Sequence, residues 1–424
     1  MIKFNSFNEK FSVIKERFMK AWCLLTFSAA LILILASISG CKYDVAEPPW
    51  DNPFILPPQN PSINSIEPAS AAPGVNTIKI IGANLDLIPN NWVYFGIEGS
   101  IQLNAEIVER SSTSIICRRP NLVTDSCMIK IVPKGGLVVK YGPFIIDPVY
   151  EEYGTFLENN ELGAITVDNS GNVYVIERLP PFPIIKISSA GEQTVLVDTL
   201  PGSTIPTEAI IGPEGYLYII RTNRIIQRVN AVTGEVANWH RYASNSGNQL
   251  KYGDFDENGY LYTGGRGTDL VIISPDSTSR TSGMYQTGGT GADIQAIIIH
   301  NNNIYLSAVL ASVNTIWKHS LDGNGNVGAK ELVYDVSADS RFLGHIVTGI
   351  IFSEDGKMYL ATDSSNPLLI SENGNVDFYY KNILPPYCKK FTGFNNYLYL
   401  MIGNTTPAQN WMVYRVDIGT NLAP

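Results

Sequence analysis

Six stretches of this chain superimpose when each is aligned on one tyrosine. They are AITVDNSGNVYVI (Ala164 to Ile176), AIIGPEGYLYII (Ala209 to Ile220), DFDENGYLYTG (Asp254 to Gly264), AIIIHNNNIYLSA (Ala296 to Ala308), GIIFSEDGKMYLAT (Gly349 to Thr362) and FTGFNNYLYLMI (Phe391 to Ile402). The shared tyrosines, Tyr174, Tyr218, Tyr262, Tyr305, Tyr359 and Tyr399, stand 44, 44, 43, 54 and 40 residues apart. Self-similarity at that period restricts the chain to a repeat architecture. In each unit an apolar run leads into a turn of Asn, Asp, Glu or Gly, such as Asp168-Asn169-Ser170-Gly171. A second apolar run then carries the tyrosine, and two such runs around a tight turn make a hairpin. A third run follows, for example Ile184 to Ile187, and in the first five units a weaker fourth, such as Thr194 to Val197. Four antiparallel strands per unit at this spacing predict the blades of a β-propeller rather than helical repeats.

The sixth unit runs out after its third strand, Met412 to Val416, while Tyr150 to Leu157 lies ahead of the first blade without a place in any unit. That segment is expected to complete the last blade and close the ring, which removes two open sheet edges. The repeated tyrosines are expected to be core residues with a hydroxyl reaching water. Only 16% of the chain is charged, and no long helical period follows the N-terminus, in keeping with an all-β protein.

Residues 1–40 read as a leader. The apolar run Leu24 to Ile38 follows Lys20 and ends in Ser37-Ile38-Ser39-Gly40-Cys41. This resembles the lipobox of bacterial lipoproteins, which implies lipidation of Cys41; the residues also allow an ordinary signal peptide or a signal anchor. Met19 is the expected initiator, because it gives a leader of ordinary length. Removing residues 1–40 takes away five basic and two acidic residues, leaving 25 positive and 37 negative groups and a net charge of −12. Such a chain has no general affinity for nucleic acid or another polyanion. Residues 41–60 form a proline-rich tether, stiff by composition. Its early acidic residues, Asp44 and Glu47, are similar to the surface-export signals of lipoproteins in Bacteroidota.

Residues 61–148 form a separate unit. Ile63 to Gly74, Ile78 to Leu85 and Val93-Tyr94-Phe95-Gly96, followed by Ser112 to Cys117 and Met128 to Val132, resemble the IPT/TIG family of immunoglobulin-like domains. The resemblance implies a β-sandwich ahead of the propeller at 149–424, and it does not specify a function. Cys117 ends one expected strand and Cys127 begins the next, so a cross-hairpin disulfide and two free half-buried thiols are the two readings. Cys388 is expected to be packed.

The turns of the large domain, as in Val167-Asp168-Asn169-Ser170-Gly171-Asn172-Val173-Tyr174, resemble the NHL and gluconolactonase-like propellers; Asn302-Asn303 and Asn395-Asn396 replace the acidic turn in the fourth and sixth units. Lactonase-type members of that group hold a divalent cation at the channel mouth, on oxygen ligands from loops ahead of the innermost strands. Eleven residues before each aligned tyrosine stand Gly163, Thr207, Lys251, Ile294, Thr348 and Cys388, none of them acidic. No metal and no cofactor is therefore expected, and Glu161, Glu208, Asp254, Asp293 and Gln295 are the side chains that would have to converge if one were held. His240, His300, His319 and His345 are expected in structural or solvated roles.

Recognition by aromatic stacking remains, with Trp239, Tyr242, Tyr252, Tyr285, Trp317, Tyr387 and Trp411 as candidate ligand contacts, each of which could instead pack between blades. Lipoproteins that join an IPT/TIG domain to a propeller resemble accessory surface proteins beside nutrient importers. The leading expectation is an outer-membrane, surface-exposed lipoprotein that binds a polysaccharide or oligosaccharide without catalysis. A propeller enzyme (lactonase, lyase or hydrolase) and a docking module on a transporter complex are the alternatives.

Overall fold

The computed structural model describes residues 60–87, 92–133, 137–157, 160–222, 225–242, 249–287, 290–405 and 408–423. Cys41, the leader and nearly all of the tether fall outside these residues. Residues 60 to 424 form one compact unit.

Eight strands make a sandwich. One sheet runs Ser62–Glu67, Thr77–Ala83, Ser114–Arg118, Ile107–Arg110, and the other Gln102–Asn104, Val93–Gly96, Thr124–Ile131, Val139–Ile146. Alternation supplies its core: Ile78 and Ile80 from one strand meet Phe95, Ile115, Ile129 and Phe144 from others, all buried. This arrangement overturns the cross-hairpin disulfide. Cys117 and Cys127 lie in different sheets, because the chain between their strands crosses the sandwich rather than turning back, and both are free, buried thiols. Burial pushes the Cys117 thiol up to about 12.

Six four-stranded blades follow, and their innermost strands are Leu162–Val167, Pro206–Ile211, Gln249–Phe255, Thr290–His300, Val347–Phe352 and Cys388–Phe394. Blades three and four are fused, since Leu261–Thr268 continues past its own blade to pair at Arg266 with Asp293 and at Thr268 with Ala292. The last blade is closed from the front of the chain. Tyr150–Glu152 pairs with Ala408–Asp417 at Val416, Arg415 and Tyr414, and an ion pair between Arg415 and Glu151 fastens the join. The borrowed strand becomes the outermost of the blade and covers the free edge of Ala408–Asp417.

In blade one the Asp168 carboxylate accepts the backbone N–H groups of Ser170 and Asn172 through one oxygen, and the Tyr174 hydroxyl through the other at 2.9 Å. Asp256 does the same in blade three for Asn258, Tyr260 and the Tyr262 hydroxyl at 3.1 Å. These two tyrosines are core residues as expected, but each hydroxyl is tied to its own turn rather than to water.

The sandwich is held to the fifth and sixth blades by polar contacts. Arg118 forks onto Asp377 at 2.8 and 2.9 Å and also meets Glu106 at 3.1 Å. The Tyr380 hydroxyl accepts the Gly74 N–H at 2.6 Å and donates to the Asp417 carbonyl at 2.8 Å. Asn76 brackets the same segment, donating to the Phe378 carbonyl and accepting from the Tyr380 N–H.

Candidate ligand site at the channel mouth

Each innermost strand carries a register shift at an equivalent place, between Leu162 and Ala164, Pro206 and Glu208, Leu250 and Tyr252, Ile294 and Ala296, Val347 and Gly349, and Cys388 and Lys390. The residue skipped in each case is Gly163, Thr207, Lys251, Gln295, Thr348 and Lys389. A bulge of this kind bends a strand and re-aims one residue. In every blade the residue before the bulge is buried and the bulged residue is half-open, so the six together form a rim. Counting back eleven residues finds four of them and misses Gln295 and Lys389 by one. Blades four and six turn on a two-residue Asn pair, with Asn301, Asn302 and Asn395 at φ 48, 55 and 54, where the acidic turn of blade one spans residues 168–172; each flanking strand gains a paired residue, so the span from bulge to tyrosine is one residue shorter.

The residues just after the bulge form a second ring: Ala164, Glu208, Tyr252, Ala296, Gly349 and Lys390. Three are small and three are large. From blade six the Lys390 ammonium reaches the Glu208 carboxylate of blade two at 2.7 Å and lies 3.7 Å from the ring centre of Tyr252 in blade three, directly across the axis. The space vacated by Ala164, Ala296 and Gly349 is what lets these three side chains meet. They separate an outer cup of about 360 Å³ from an inner void of about 90 Å³, and Thr348 and Lys390 line both.

Burial dominates the electrostatics of this plug. It raises the Glu208 carboxyl and lowers the Lys390 ammonium, and in each case the attraction between the partners opposes but does not reverse the shift. Beneath it, Asp254 lines the inner void and accepts the N–H groups of Phe255 at 2.9 Å and Ile299 at 2.7 Å. Burial pushes its carboxyl up to about 7, against those two hydrogen bonds.

The cup is walled by Arg178, Thr207, Tyr252, Gln295, Thr348, Asp363, Lys389 and Trp411, among others. Thr207 and Thr348 spend their hydroxyl protons on the carbonyls of Ile220 and Cys388, which leaves their oxygens as acceptors. The Gln295 carbonyl oxygen faces the Tyr252 hydroxyl at 3.5 Å, and its amide group is left to donate. Trp411 is held by Gly403, where an added Cβ would lie 2.4 Å from the indole. Asp363 accepts the Ile346 N–H at 2.8 Å with His345 at 3.4 Å.

Of the seven aromatic residues expected at the site, Tyr252 and Trp411 line the cup. The others do not. Trp239 packs edge-on against Tyr218 at 5.1 Å with Tyr242 beside it, in the core between blades two and three. Tyr285 is buried with its hydroxyl 2.5 Å from His319 Nε2. Trp317 packs on blade four under the Lys330 ammonium at 4.8 Å, and Tyr387 is half-buried in the loop entering blade six. The cationic wall, Arg178, Lys389 and Lys390, was not anticipated; the shorter Asn turns were the signal that could have placed Lys389.

The acidic side chains considered for a cation are occupied otherwise. Glu161 pairs with Arg178, Glu208 with Lys390, and Asp293 lies 3.9 Å from Lys251, while Asp254 is held by backbone N–H groups. Among the described residues no three of His, Cys, Asp and Glu are grouped to hold a metal ion. His300 stacks on Phe352 at 4.3 Å, His319 is buried between Tyr285 and the Gly328 carbonyl, and His240 meets Ser277, so these three have structural partners.

No protein-family model matches the chain, and no curated protein does. Among solved structures it is similar to a structural genomics protein of unknown function from Bacteroides thetaiotaomicron, at 13% identity and a TM-score of 0.50, over 85% of this chain and 98% of that one. It is also similar to regucalcin, a calcium-binding protein from Agrobacterium tumefaciens, at 14% identity and a TM-score of 0.47, over 62% and 90%. A third is virginiamycin B lyase from Staphylococcus aureus, at 11% identity and a TM-score of 0.45, over 80% and 98%. At 13% identity the likeness to the first of these is one of fold, the β-propeller.

Proposed function

We propose that this protein is a binding protein that retains a saccharide in the outer cup without chemically altering it. The observation that supports this most is the plug. A channel closed by the Glu208–Lys390–Tyr252 contact cannot pass a ligand through, so the cup above it is a blind receptacle, and its volume of about 360 Å³ suits one or two sugar rings. Its walls offer what a sugar needs: donors and acceptors from Gln295, Thr207 and Thr348, backed by the buried Trp411 and by Tyr252, whose ring the Lys390 ammonium covers. The carboxylates nearest to it are engaged, Glu208 by an ammonium and Asp363 by a backbone N–H, which favours retention over acid–base chemistry.

In this reading Cys41 carries a lipid that anchors the chain to the outer membrane, the tether at 41–60 holds it off the surface, and the firmly attached sandwich fixes the direction in which the cup faces. The partners are the membrane, a glycan and an outer-membrane transporter complex, with no part for nucleic acid.

Glycan-array screening of the full chain, followed by titration calorimetry on the hits, tests this directly. Binding is expected to be lost in Thr207→Trp, which fills the cup, and incubation with the bound glycan is expected to release no new product by mass spectrometry. Turnover, or binding that survives Thr207→Trp, would contradict the proposal.

A further inference from the structure

We infer that the sugar unit accepted by the cup is anionic, bearing a carboxylate or a sulfate that Lys389 neutralises. This rests on the saccharide reading above and adds the chemical class of the ligand. Among the described residues, three cations face the cup. Two have internal partners: Arg178 is bound by Glu161 and Lys390 by Glu208. Lys389 has no carboxylate at ion-pair distance among the described residues, although it sits half-buried on the rim. The one carboxylate among the described residues of the cup wall, Asp363, is turned to the Ile346 N–H and His345. The chain has 39 acidic residues against 30 basic ones, so acids are not scarce. Even the other rim lysine, Lys251, has one, Asp293 at 3.9 Å.

An unpaired ammonium in a concave, partly dried position is a poor arrangement unless something completes it. The bulge is what brings it there, because without the extra residue Lys389 would not be re-aimed onto the rim. The rim itself carries two lysines, two threonines, one glutamine and one glycine, and no acid that would repel a negative charge. The net charge, −9 for the whole chain and −12 without residues 1–40, adds a size limit. A long polyanion is repelled as a whole, whereas a single acidic sugar or a short oligomer meets mainly the local positive wall.

Calorimetry on the full chain should compare three short oligosaccharides of one linkage: oligogalacturonate, its neutral carboxyl-reduced form, and a sulfated galactose oligomer. At least one acidic form is expected to bind ten- to a hundredfold more tightly than the neutral one, and the tighter of the two identifies the acid. Lys389→Met should erase that preference, and Lys389→Arg should keep most of it. Unchanged circular dichroism and melting temperature would show that the variants fold. Neutral oligomers binding as well as acidic ones, or a preference that persists in Lys389→Met, would overturn the inference and leave the saccharide proposal standing. Failure of every saccharide on the array and in calorimetry would overturn both.

Discussion

Replacing Lys390 by methionine removes the cation from the channel plug and leaves the Glu208 carboxylate enclosed. The two side chains are only 9% and 14% exposed, so solvent does little to screen the loss. Breaking a buried pair from one side costs about 3 to 5 kcal/mol, since an uncompensated charge remains. Glu208→Leu is expected to cost less, about 2 to 3 kcal/mol, because the ammonium keeps the Tyr252 face at 3.7 Å, a contact of about 1 to 2 kcal/mol when desolvated. The double variant reverses the trend. Burial raises Glu208 and lowers Lys390 despite their mutual attraction, so desolvation outweighs the pair, and Glu208→Leu with Lys390→Met should match or exceed the wild type. Guanidinium unfolding followed by fluorescence gives the four midpoints, and the cycle should show a coupling of about 4 kcal/mol or more. Single costs that simply add, to within about 0.5 kcal/mol, would mean that the three side chains do not act as one closure.

The inner void should make stability depend on pH through Asp254. Its folded carboxyl, at about 7, binds a proton more tightly than the unfolded one at 3.8, so stability falls as pH rises from about 4 to 7 and is level above. Asp254→Asn should flatten that slope, gaining up to roughly 4 kcal/mol relative to wild type between pH 4 and pH 8 in thermal melts; parallel curves would refute the assignment. Asp168→Ala removes the acceptor of two N–H groups and of the Tyr174 hydroxyl, and should cost about 2 to 3 kcal/mol by denaturant titration. Ser353→Ala, at the equivalent place in blade five, should cost under about 1 kcal/mol, because no tyrosine hydroxyl rests on it. Arg118→Ala cuts the fork to Asp377 and should speed proteolysis between the sandwich and the propeller while leaving ligand affinity unchanged.

The blade pattern could be read from sequence because one physical signal was repeated six times: an apolar run, a turn and a tyrosine two residues from a fixed point of the second strand. Ring closure was readable for a related reason, as one strand was missing at the end and one was left over at the front. The cup was less legible. Its rim is set by a bulge, which leaves no residue-type signature, and by turn length, which shifts Gln295 and Lys389 by one position relative to a fixed count. Aromatic residues were a poor guide, since Trp239, Tyr285 and Trp317 have the same composition signal as Trp411 but face neighbouring blades. The plug depends on residues 182 apart in the chain, Glu208 and Lys390, and on small residues at three other blades. No local pattern marks such a contact. Cys117 and Cys127 are free thiols because their strands, though consecutive in sequence, belong to opposite sheets and form no hairpin.

The most direct measurement is a crystal structure of the full chain soaked with the tightest-binding oligosaccharide from the array. Sugar density is expected above the Glu208–Lys390 pair, with an oxygen within hydrogen-bond distance of a rim residue such as Gln295 or Lys389. Density instead in the cleft between the sandwich and blade five, lined by Asn76, Glu372 and Asn375, would contradict the assignment of the channel mouth as the site.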